Sequence, residues 1–266
     1  MKSENWSAAK CAPYLPKPKP SDHKYRRGVL GCVTGSKQYP GAALLTTSAA
    51  LSVGIGMVRY FGPESVKNLV VSNRPEVVIQ AGKVDAYLLG SGIPSKKSLL
   101  RKITMEMANR ADLPKVLDAG ALYLSGASNS PTIITPHAGE LAELLGVNSK
   151  EIENDPIRYA IDAARKFKLT VLLKGNKTVV ANSERVIQLP EATSWLATAG
   201  TGDVLAGILG ALLALNHTEV SHENLIEIGA TASYLHAQSA KNSSSGPISA
   251  EKMFDQLSKE VARLSK

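Results

Sequence analysis

The chain has 266 residues, 44% of them hydrophobic, and its 31 basic and 23 acidic side chains leave a formal net charge of +8. This length suits one α/β domain with a full core, and the charge favours phosphorylated ligands or nucleic acid. Nucleic-acid binding is disfavoured, because aromatic residues make up only 5% of the chain and the lysines are scattered rather than gathered in one stripe.

The chain begins with a proline-rich segment. Pro13, Pro16, Pro18 and Pro20 disfavour a helix, because proline lacks the backbone N–H group that a helix interior needs. We therefore predict an extended arm over residues 1–20 and expect the packed fold to begin near Gly28.

Short apolar runs then alternate with longer helical patterns. In chain order these segments are 28–33, 42–53, 87–89, 96–109, 116–118, 133–134 and 138–145. Short buried strands that alternate with helices predict a parallel sheet with helices on both faces.

The second half continues this alternation. It predicts helices over 157–167 and near 204–215, 223–240 and 250–264, a strand over 170–173, and strands over 178–180 and 185–188 that pair in antiparallel fashion. Because no internal repeat or linker-like break interrupts the pattern, we expect residues 1–266 to form a single domain.

The two cysteines and the hydropathy exclude other classes. Cys11 and Cys32 lack CxxC spacing, so neither a zinc site nor a disulfide framework is predicted. No stretch approaches the roughly 18 consecutive apolar residues of a membrane helix. We expect a cytoplasmic protein without membrane contact.

A small-residue turn runs directly into an apolar helix. Gly200, Thr201, Gly202 and Asp203 precede the run that begins at Val204. Such a turn exposes backbone N–H groups at the positive end of a helix, which suits an anion. Asp203 is then either a base that accepts the proton of an attacking hydroxyl or a carboxylate that merely favours the helix dipole. Taken alone, the turn leaves both interpretations open.

Two common phosphate-binding fingerprints are missing. The chain has no G-x-x-x-x-G-K-[ST] motif, and Arg59 stands where the third glycine of a G-x-G-x-x-G motif would follow Gly54 and Gly56. Neither a P-loop protein nor a Rossmann dehydrogenase is indicated.

Further polar residues follow predicted strands. His137 and Glu140 open a helix after a strand, where they either contact a ligand or simply form a solvated helix start. Residues 174–178 join two strands, either as a plain hairpin turn or as one wall of a nucleotide pocket. Asp118 and the Gly90-Ser91-Gly92 segment also follow strands, so all of these groups are expected at one edge of the sheet.

These pieces together resemble a known family. Its motifs are matched, in order, by segments that begin at Gly35, Gly90, Leu117, Thr135, Leu173 and Ala199. On these segments the chain resembles the ADP- or ATP-dependent NAD(P)H-hydrate dehydratases, members of the ribokinase-like superfamily, from about Asp22 to the C-terminal helix. The resemblance implies a three-layer α/β/α fold with a mainly parallel central sheet.

The resemblance also implies a reaction, in which ADP or ATP drives the removal of water from the hydrated nicotinamide ring of NADH or NADPH. It places Ala42, Gly92, His137 and Asp203 at the hydrated dinucleotide, with Asp203 as the catalytic base. The residues it places at the adenine nucleotide are Lys174, Gly175, Asn176, Lys177, Thr178, Gly200, Thr201 and Gly202. The superfamily further implies Mg²⁺, which we link to Glu140.

The family also implies partners: a homo-oligomer, expected to be a tetramer, and a separate epimerase that interconverts the two hydrate forms. One departure is that Ser91 stands where we expect proline between Gly90 and Gly92. The alternative function is a ribokinase-like kinase for a hydroxyalkyl heterocycle, since the Gly-Thr-Gly-Asp turn also serves such enzymes.

Overall fold

The computed structural model describes residues 3–94, 99–109, 113–127 and 130–265. Its strands are β1 (Glu4–Asn5), β2 (Val29–Val33), β3 (Met57–Tyr60), β4 (Ala86–Leu89), β5 (Lys115–Leu117), β6 (Thr132–Ile134), β7 (Thr170–Leu173), β8 (Val179–Ala181) and β9 (Val186–Gln188). Its helices are α1 (Ala8–Cys11), α2 (Pro40–Ser52), α3 (Glu64–Asn73), α4 (Leu99–Asn109), α5 (Ala138–Leu145), α6 (Ser149–Asn154), α7 (Pro156–Phe167), α8 (Thr201–Leu215), α9 (Leu225–Ser243) and α10 (Met253–Leu264).

The strands of the described residues form one nine-stranded sheet in the order β1-β9-β8-β7-β6-β5-β4-β2-β3. Every neighbouring pair is parallel except those that involve β8, which runs antiparallel to both β7 and β9. The predicted β8–β9 pairing is confirmed, and residues 174–178 form the hairpin connection from β7 to β8.

Two apolar clusters, one on each face of the sheet, make up the core. Helices α2, α3, α8, α9 and α10 bury their apolar side chains in the first cluster, and α4, α5, α6 and α7 contribute to the second. The parallel strands are buried on both faces, which explains their continuous apolar sequences. The predicted α/β/α layering is therefore confirmed.

The N-terminal segment differs from the extended arm that the prolines predict. Residues 8–11 form α1, and a 3-10 turn over Ala12–Tyr14 accommodates Pro13 at its start, where the missing N–H group costs nothing. Trp6, Cys11 and Leu15 are buried in the first core cluster. The packed fold therefore begins well before Gly28, and the arm prediction was wrong for this part.

Beyond the N-terminal segment, the sequence analysis also missed β3, α3 and α6. Strand β3 lies at the edge of the sheet, and Arg59 interrupts its apolar pattern while donating a hydrogen bond to the Gln80 carbonyl at 2.7 Å. Helices α3 and α6 bury only two residues and one residue, respectively, so their apolar periodicity is weak. The predicted helix over 96–109 is observed from Leu99, and its expected start at 96 lies outside the described residues.

The fold gathers the segments that follow the parallel strands at one edge. Thr34, Gly90, Asp118, Thr135 and Lys174 directly follow β2, β4, β5, β6 and β7. In the described part of the chain, no helix combines the length and hydropathy that a membrane span requires.

Candidate active site

The turn before α8 is held in one conformation by its own contacts. Gly200 has a φ of 91°, and a Cβ there would lie 2.6 Å from Leu45 Cδ1, so glycine is needed for both conformation and space. The Thr201 hydroxyl donates to the Leu196 carbonyl at 2.8 Å. Gly200, the N-cap, has no side chain to cap α8, which leaves the backbone N–H groups of Gly202 and Asp203 available to an anion.

A cavity of about 660 Å³ opens beside this turn. One side is the β7–β8 hairpin, and another is the segment from Leu189 to Ala199 together with Thr201, Gly202 and Leu205. His137 and the α9 residues Ser233, His236 and Ala237 complete the lining. Its volume and mainly apolar walls are typical of a small-molecule site.

Hydrogen bonds join the hairpin to the segment from Leu189 to Ala199 on the opposite side of the cavity. Asn176 Nδ2 donates to Glu191 Oε1 at 2.6 Å, and the Ala192 backbone N–H donates to the Asn176 carbonyl at 3.0 Å. The loop over residues 174–178 is therefore a fixed wall of the cavity as well as a hairpin turn.

Lys174 lies among carboxylates at the inner end of the cavity. Its Nζ is 3.3 Å from Asp118 Oδ1 and 3.7 Å from Glu140 Oε2. Burial alone would lower the pKa of Lys174, but attraction to Asp118, Glu140 and Asp203 outweighs this effect and raises it. The ammonium group therefore stays charged.

Asp203, in the first turn of α8, also has a raised pKa, which for a carboxyl group favours the neutral form. Burial raises its pKa to about 7, and repulsion from Asp118 adds to this effect, while Lys174 opposes it. A carboxyl group that titrates near neutral pH is suited to accept a proton during a reaction.

Asp118 is buried and holds three partners. Ser91 Oγ donates to Oδ2 at 2.7 Å, and Thr135 Oγ1 donates to Oδ1 at 2.7 Å. Lys174 is the third partner. Side chains that follow β4, β5, β6 and β7 thus meet in one hydrogen-bonded group, as their position at the strand ends predicted.

The matching family model, described as NAD(P)H-hydrate dehydratase, covers residues 30–263. The chain belongs to this family. Over 212 residues it is 33% identical to the ADP-dependent (S)-NAD(P)H-hydrate dehydratase of Neisseria meningitidis serogroup B, covering 72% of this chain and 71% of that protein. It is also 37% identical over 253 residues to the bifunctional NAD(P)H-hydrate repair enzyme Nnr of Mycobacterium leprae, covering 90% of this chain but 51% of the relative. The chain thus spans about half the length of the bifunctional relatives.

Two solved structures have the same overall fold as this chain. The ADP/ATP-dependent NAD(P)H-hydrate dehydratase of Bacillus subtilis, co-crystallised with ATP and Mg²⁺, superposes with a TM-score of 0.87 at 28% identity, and the match covers both chains fully. A ribokinase-like superfamily protein of Enterococcus faecalis superposes with a TM-score of 0.86 at 21% identity, over 99% of this chain and 96% of that one. The predicted family and ribokinase-like fold are therefore confirmed.

Most residues that the resemblance places at the nucleotide line the cavity of this family member. Lys174, Gly175, Asn176 and Thr178 are in its wall, as are Thr201 and Gly202. Lys177 is exposed and does not line the cavity. Gly200 also stays outside the lining and acts by shaping the turn.

The residues that the resemblance places at the dinucleotide fall into two groups. His137 lines the cavity, whereas Asp203, directly after the lining residue Gly202, and the contacting pair Ala42 and Gly92 lie outside the lining. Gly92 has a φ of 65°, and a Cβ there would lie 2.4 Å from the Ala42 Cβ. The neighbouring Ser91 links this pair to Asp118.

His137 and Glu140 form a capping box at the start of α5. Glu140 Oε2 accepts from the His137 backbone N–H at 2.8 Å, and His137 Nδ1 accepts from the Glu140 backbone N–H at 3.2 Å. His137 begins the helix and also lines the cavity, so its contact with a ligand stays a prediction.

Among the cavity residues that sequence reasoning missed are two polar side chains of α9. Ser233 and His236 lie in the middle of α9, and no motif or strand end marks them. Only the packing of α9 beside the first turn of α8 brings them to the cavity, so the sequence carried no local signal for them.

Proposed function

We propose that this chain converts the (S) form of hydrated NADH or NADPH to NADH or NADPH, consuming ADP or ATP and releasing AMP or ADP with phosphate. The observation that carries the proposal is the position of Asp203 in the first turn of α8, directly after the cavity-lining Gly202, where burial raises its pKa to about 7. Family membership supports the same reaction.

The adenine nucleotide is assigned to the cavity. Lys174, Gly175, Asn176 and Thr178 form one side, with the exposed Lys177 assigned to the nucleotide from the same loop, and Gly200, Thr201 and Gly202 direct the phosphates to the start of α8. The uncapped backbone N–H groups of α8 favour negative charge there. A volume of about 660 Å³ is sufficient for a nucleotide.

The hydrated dinucleotide is assigned to the neighbouring edge, where Ala42, Gly92, His137 and Asp203 contact it. The close Ala42–Gly92 approach leaves a backbone surface without bulky side chains. This edge adjoins the nucleotide cavity through Ser91, Asp118 and Lys174.

Asp203 accepts the proton of the ring hydroxyl as its oxygen attacks the terminal phosphorus of the nucleotide, and the bond to the shortened nucleotide breaks. The carbon–oxygen bond then breaks and phosphate leaves with the bonding electrons, while the neighbouring ring carbon loses a proton to the departing phosphate and the electrons of that C–H bond form the ring double bond. Phosphate is a better leaving group than hydroxide, so the elimination is divided into two easier steps. Lys174 lies where its positive charge stabilises the developing negative charge.

We also assign Mg²⁺ to the nucleotide phosphates. The described residues contain no group of three or more histidine, cysteine or acidic side chains that would hold a metal ion. This arrangement fits Mg²⁺ bound mainly through phosphates and water, since such an ion needs only one or two carboxylates. Glu140 is the carboxylate we assign to it, although Oε2 already caps α5. When bound, the ion neutralises phosphate charge.

We further propose that the protein acts in the cytoplasm as a homotetramer and in concert with a separate epimerase. The epimerase is suggested by the family resemblance. Light scattering coupled to size-exclusion chromatography measures the assembly directly, and a monomer would contradict the tetramer.

The test is the near-ultraviolet absorbance of reduced nicotinamide after the protein is mixed with hydrated NADH, Mg²⁺ and ADP or ATP, each omitted in turn. We expect a rise that requires the nucleotide. A flat trace with substrate validated on the Bacillus subtilis relative would contradict the proposal, and phosphoryl transfer to a hydroxyalkyl heterocycle would then identify the kinase instead.

A further inference from the structure

Two polar side chains of α9 line the nucleotide cavity without a role in the reaction above. They are Ser233 and His236, which are three residues apart and therefore lie on the same face of the helix. Both are buried, with 4% and 9% of their surface exposed.

His236 is fixed by a single hydrogen bond. Its Nε2 lies 2.9 Å from the Thr201 carbonyl oxygen. Because a carbonyl only accepts, Nε2 carries the hydrogen. Burial lowers the pKa of His236 to about 4, and although the bond to Thr201 opposes this effect, the ring is neutral at neutral pH. Nδ1 therefore presents a lone pair, and no hydrogen bond reaches it from the described residues.

Ser233 has a complementary capacity. Its Oγ is buried and has no hydrogen-bond partner among the described residues. A buried hydroxyl without a partner is costly in a folded protein and calls for an explanation such as a bound ligand. This face of α9 therefore offers one free donor beside one free acceptor.

The surroundings limit what these groups can bind. Leu189, Leu196 and Leu205 are among the apolar residues of the cavity lining, which suits the faces of an aromatic ring. The positive groups of the site are Lys174 and the start of α8, and His236 meets the start of α8 through Nε2 and the Thr201 carbonyl rather than through its free Nδ1. A neutral imidazole and a hydroxyl suit an uncharged ring that has a donor and an acceptor on one edge.

We propose that Ser233 and His236 form the base-reading subsite of the cavity, where they recognise the amino edge of adenine. In this arrangement His236 Nδ1 accepts from the exocyclic amino group, and the Ser233 hydroxyl, by rotating about its side-chain bond, donates to the adjacent ring nitrogen. A 6-oxopurine is rejected, because its carbonyl oxygen faces the lone pair of Nδ1. The inference rests on the proposed binding of an adenine nucleotide in this cavity.

The experiment is calorimetric titration of the protein with ADP and with inosine diphosphate. Inosine diphosphate differs from ADP at this edge, where a carbonyl replaces the amino group. We expect the wild-type protein to bind ADP more tightly by a factor on the order of ten or more, because the mismatched base leaves buried polar groups unpaired.

Two variants and one control decide the assignment. His236→Leu is expected to reduce the preference for ADP to within about threefold, and Ser233→Ala to weaken ADP binding several-fold. Ser239→Ala is the control, because Ser239 is buried in the same helix but donates to the Leu235 carbonyl at 2.7 Å and does not line the cavity. It should keep the wild-type preference. If His236→Leu does not fold, Ser233→Ala decides the outcome.

The outcomes separate this inference from the proposed function. If ADP binds but both variants keep wild-type affinity and preference, the base-reading subsite is wrong while the reaction still stands. If neither nucleotide binds the wild-type protein, the cavity assignment and the subsite both fail. ADP binding with the expected variant effects but without dehydration would contradict the proposed function alone.

Discussion

Asp203 experiences opposing electrostatic effects that set its protonation near neutral pH. Burial and the negative charge of Asp118 raise its pKa to about 7, while Lys174 lowers it. The same residue lies in the first turn of α8, where the helix dipole favours its charged form. Its environment therefore supports a carboxylate that exchanges a proton during turnover rather than one that stays permanently charged.

The first prediction concerns Asp203→Asn. The amide keeps the shape of the turn but cannot accept the proton, so turnover should fall by a factor on the order of 10² or more while nucleotide affinity is retained. Steady-state kinetics and calorimetry measure the two quantities. Asp162→Asn is a suitable control, since Asp162 forms only an exposed ion pair with Arg158. Near-normal turnover of the Asp203 variant would show that Asp203 is not the base.

The second prediction concerns pH. A general base acts only when ionised, and the pKa of Asp203 is about 7, so turnover should rise as the pH increases through that value. Asp118→Asn removes a charge that raises this pKa, so the acidic limb of the profile should move to lower pH. The dependence of kcat on pH measures both effects. An acidic limb that stays in place in the Asp118 variant would contradict this electrostatic coupling.

Sequence reasoning located polar residues that follow strands or begin helices near the cavity, but it missed cavity residues in the middle of a helix. Asp118, His137 and Lys174 were accessible because parallel strands end at the same edge, so a polar residue after each strand has a predictable location. His236 was not accessible, because a buried residue in mid-helix has the same local pattern whether it faces the core or a cavity. Only long-range packing distinguishes the two cases.

At the scale of elements, α2 and α8 pack closely because small residues face each other. A Cβ at Gly207 of α8 would lie 2.4 Å from the Thr46 carbonyl oxygen and 2.8 Å from the Ala49 Cβ of α2. The run of small residues in both helices thus sets the distance between them. This distance also fixes the turn before α8, since Leu45 of α2 contacts the position of Gly200.

The third prediction compares two glycines in these helices. Gly207→Ala should lower the free energy of unfolding by about 1–3 kcal/mol, because backbone atoms of α2 must move. Gly41→Ala should be neutral or raise it by up to about 1 kcal/mol, since a Cβ there meets nothing within 4 Å and alanine favours the helix. Urea unfolding measures both values. Equal effects would show that the helix spacing is not set at Gly207.

Elements with strong patterns were predicted well, and those stabilised by distant contacts were not. Helix α7 has a clear apolar face and was identified within one residue of its bounds. Strand β3 was missed because the sequence pattern of its buried Arg59 is that of a surface residue, although Arg59 Nη1 donates to the backbone carbonyl of Gln80, 21 residues away. The N-terminal helix α1 was missed because its four residues are too few for a recognisable period.

At the scale of the whole molecule, the N-terminal segment ties distant parts of the chain together. Strand β1 extends the sheet beside β9, and Arg185 joins Glu4 and Glu227 in one ion-pair group. Asn216, just beyond α8, donates to the Tyr14 carbonyl at 3.1 Å. The segment therefore packs against parts of α8 and α9 that lie away from the cavity.

The fourth prediction tests the contribution of these N-terminal contacts to stability with a variant that lacks residues 1–16. Trp6, Cys11 and Leu15 are buried, and burial of a large apolar side chain contributes about 1.5–3 kcal/mol, so the deletion should lower the free energy of unfolding by several kcal/mol. Trp6→Ala alone should cost about 3–5 kcal/mol, since it leaves a cavity in the core. Glu4→Ala should cost less than about 1 kcal/mol, because its ion pair with Arg185 is partly exposed. Urea unfolding ranks the three variants. If the deletion lowers the free energy of unfolding no more than Glu4→Ala does, the segment contributes little to the core and behaves as the extended arm that its prolines predict.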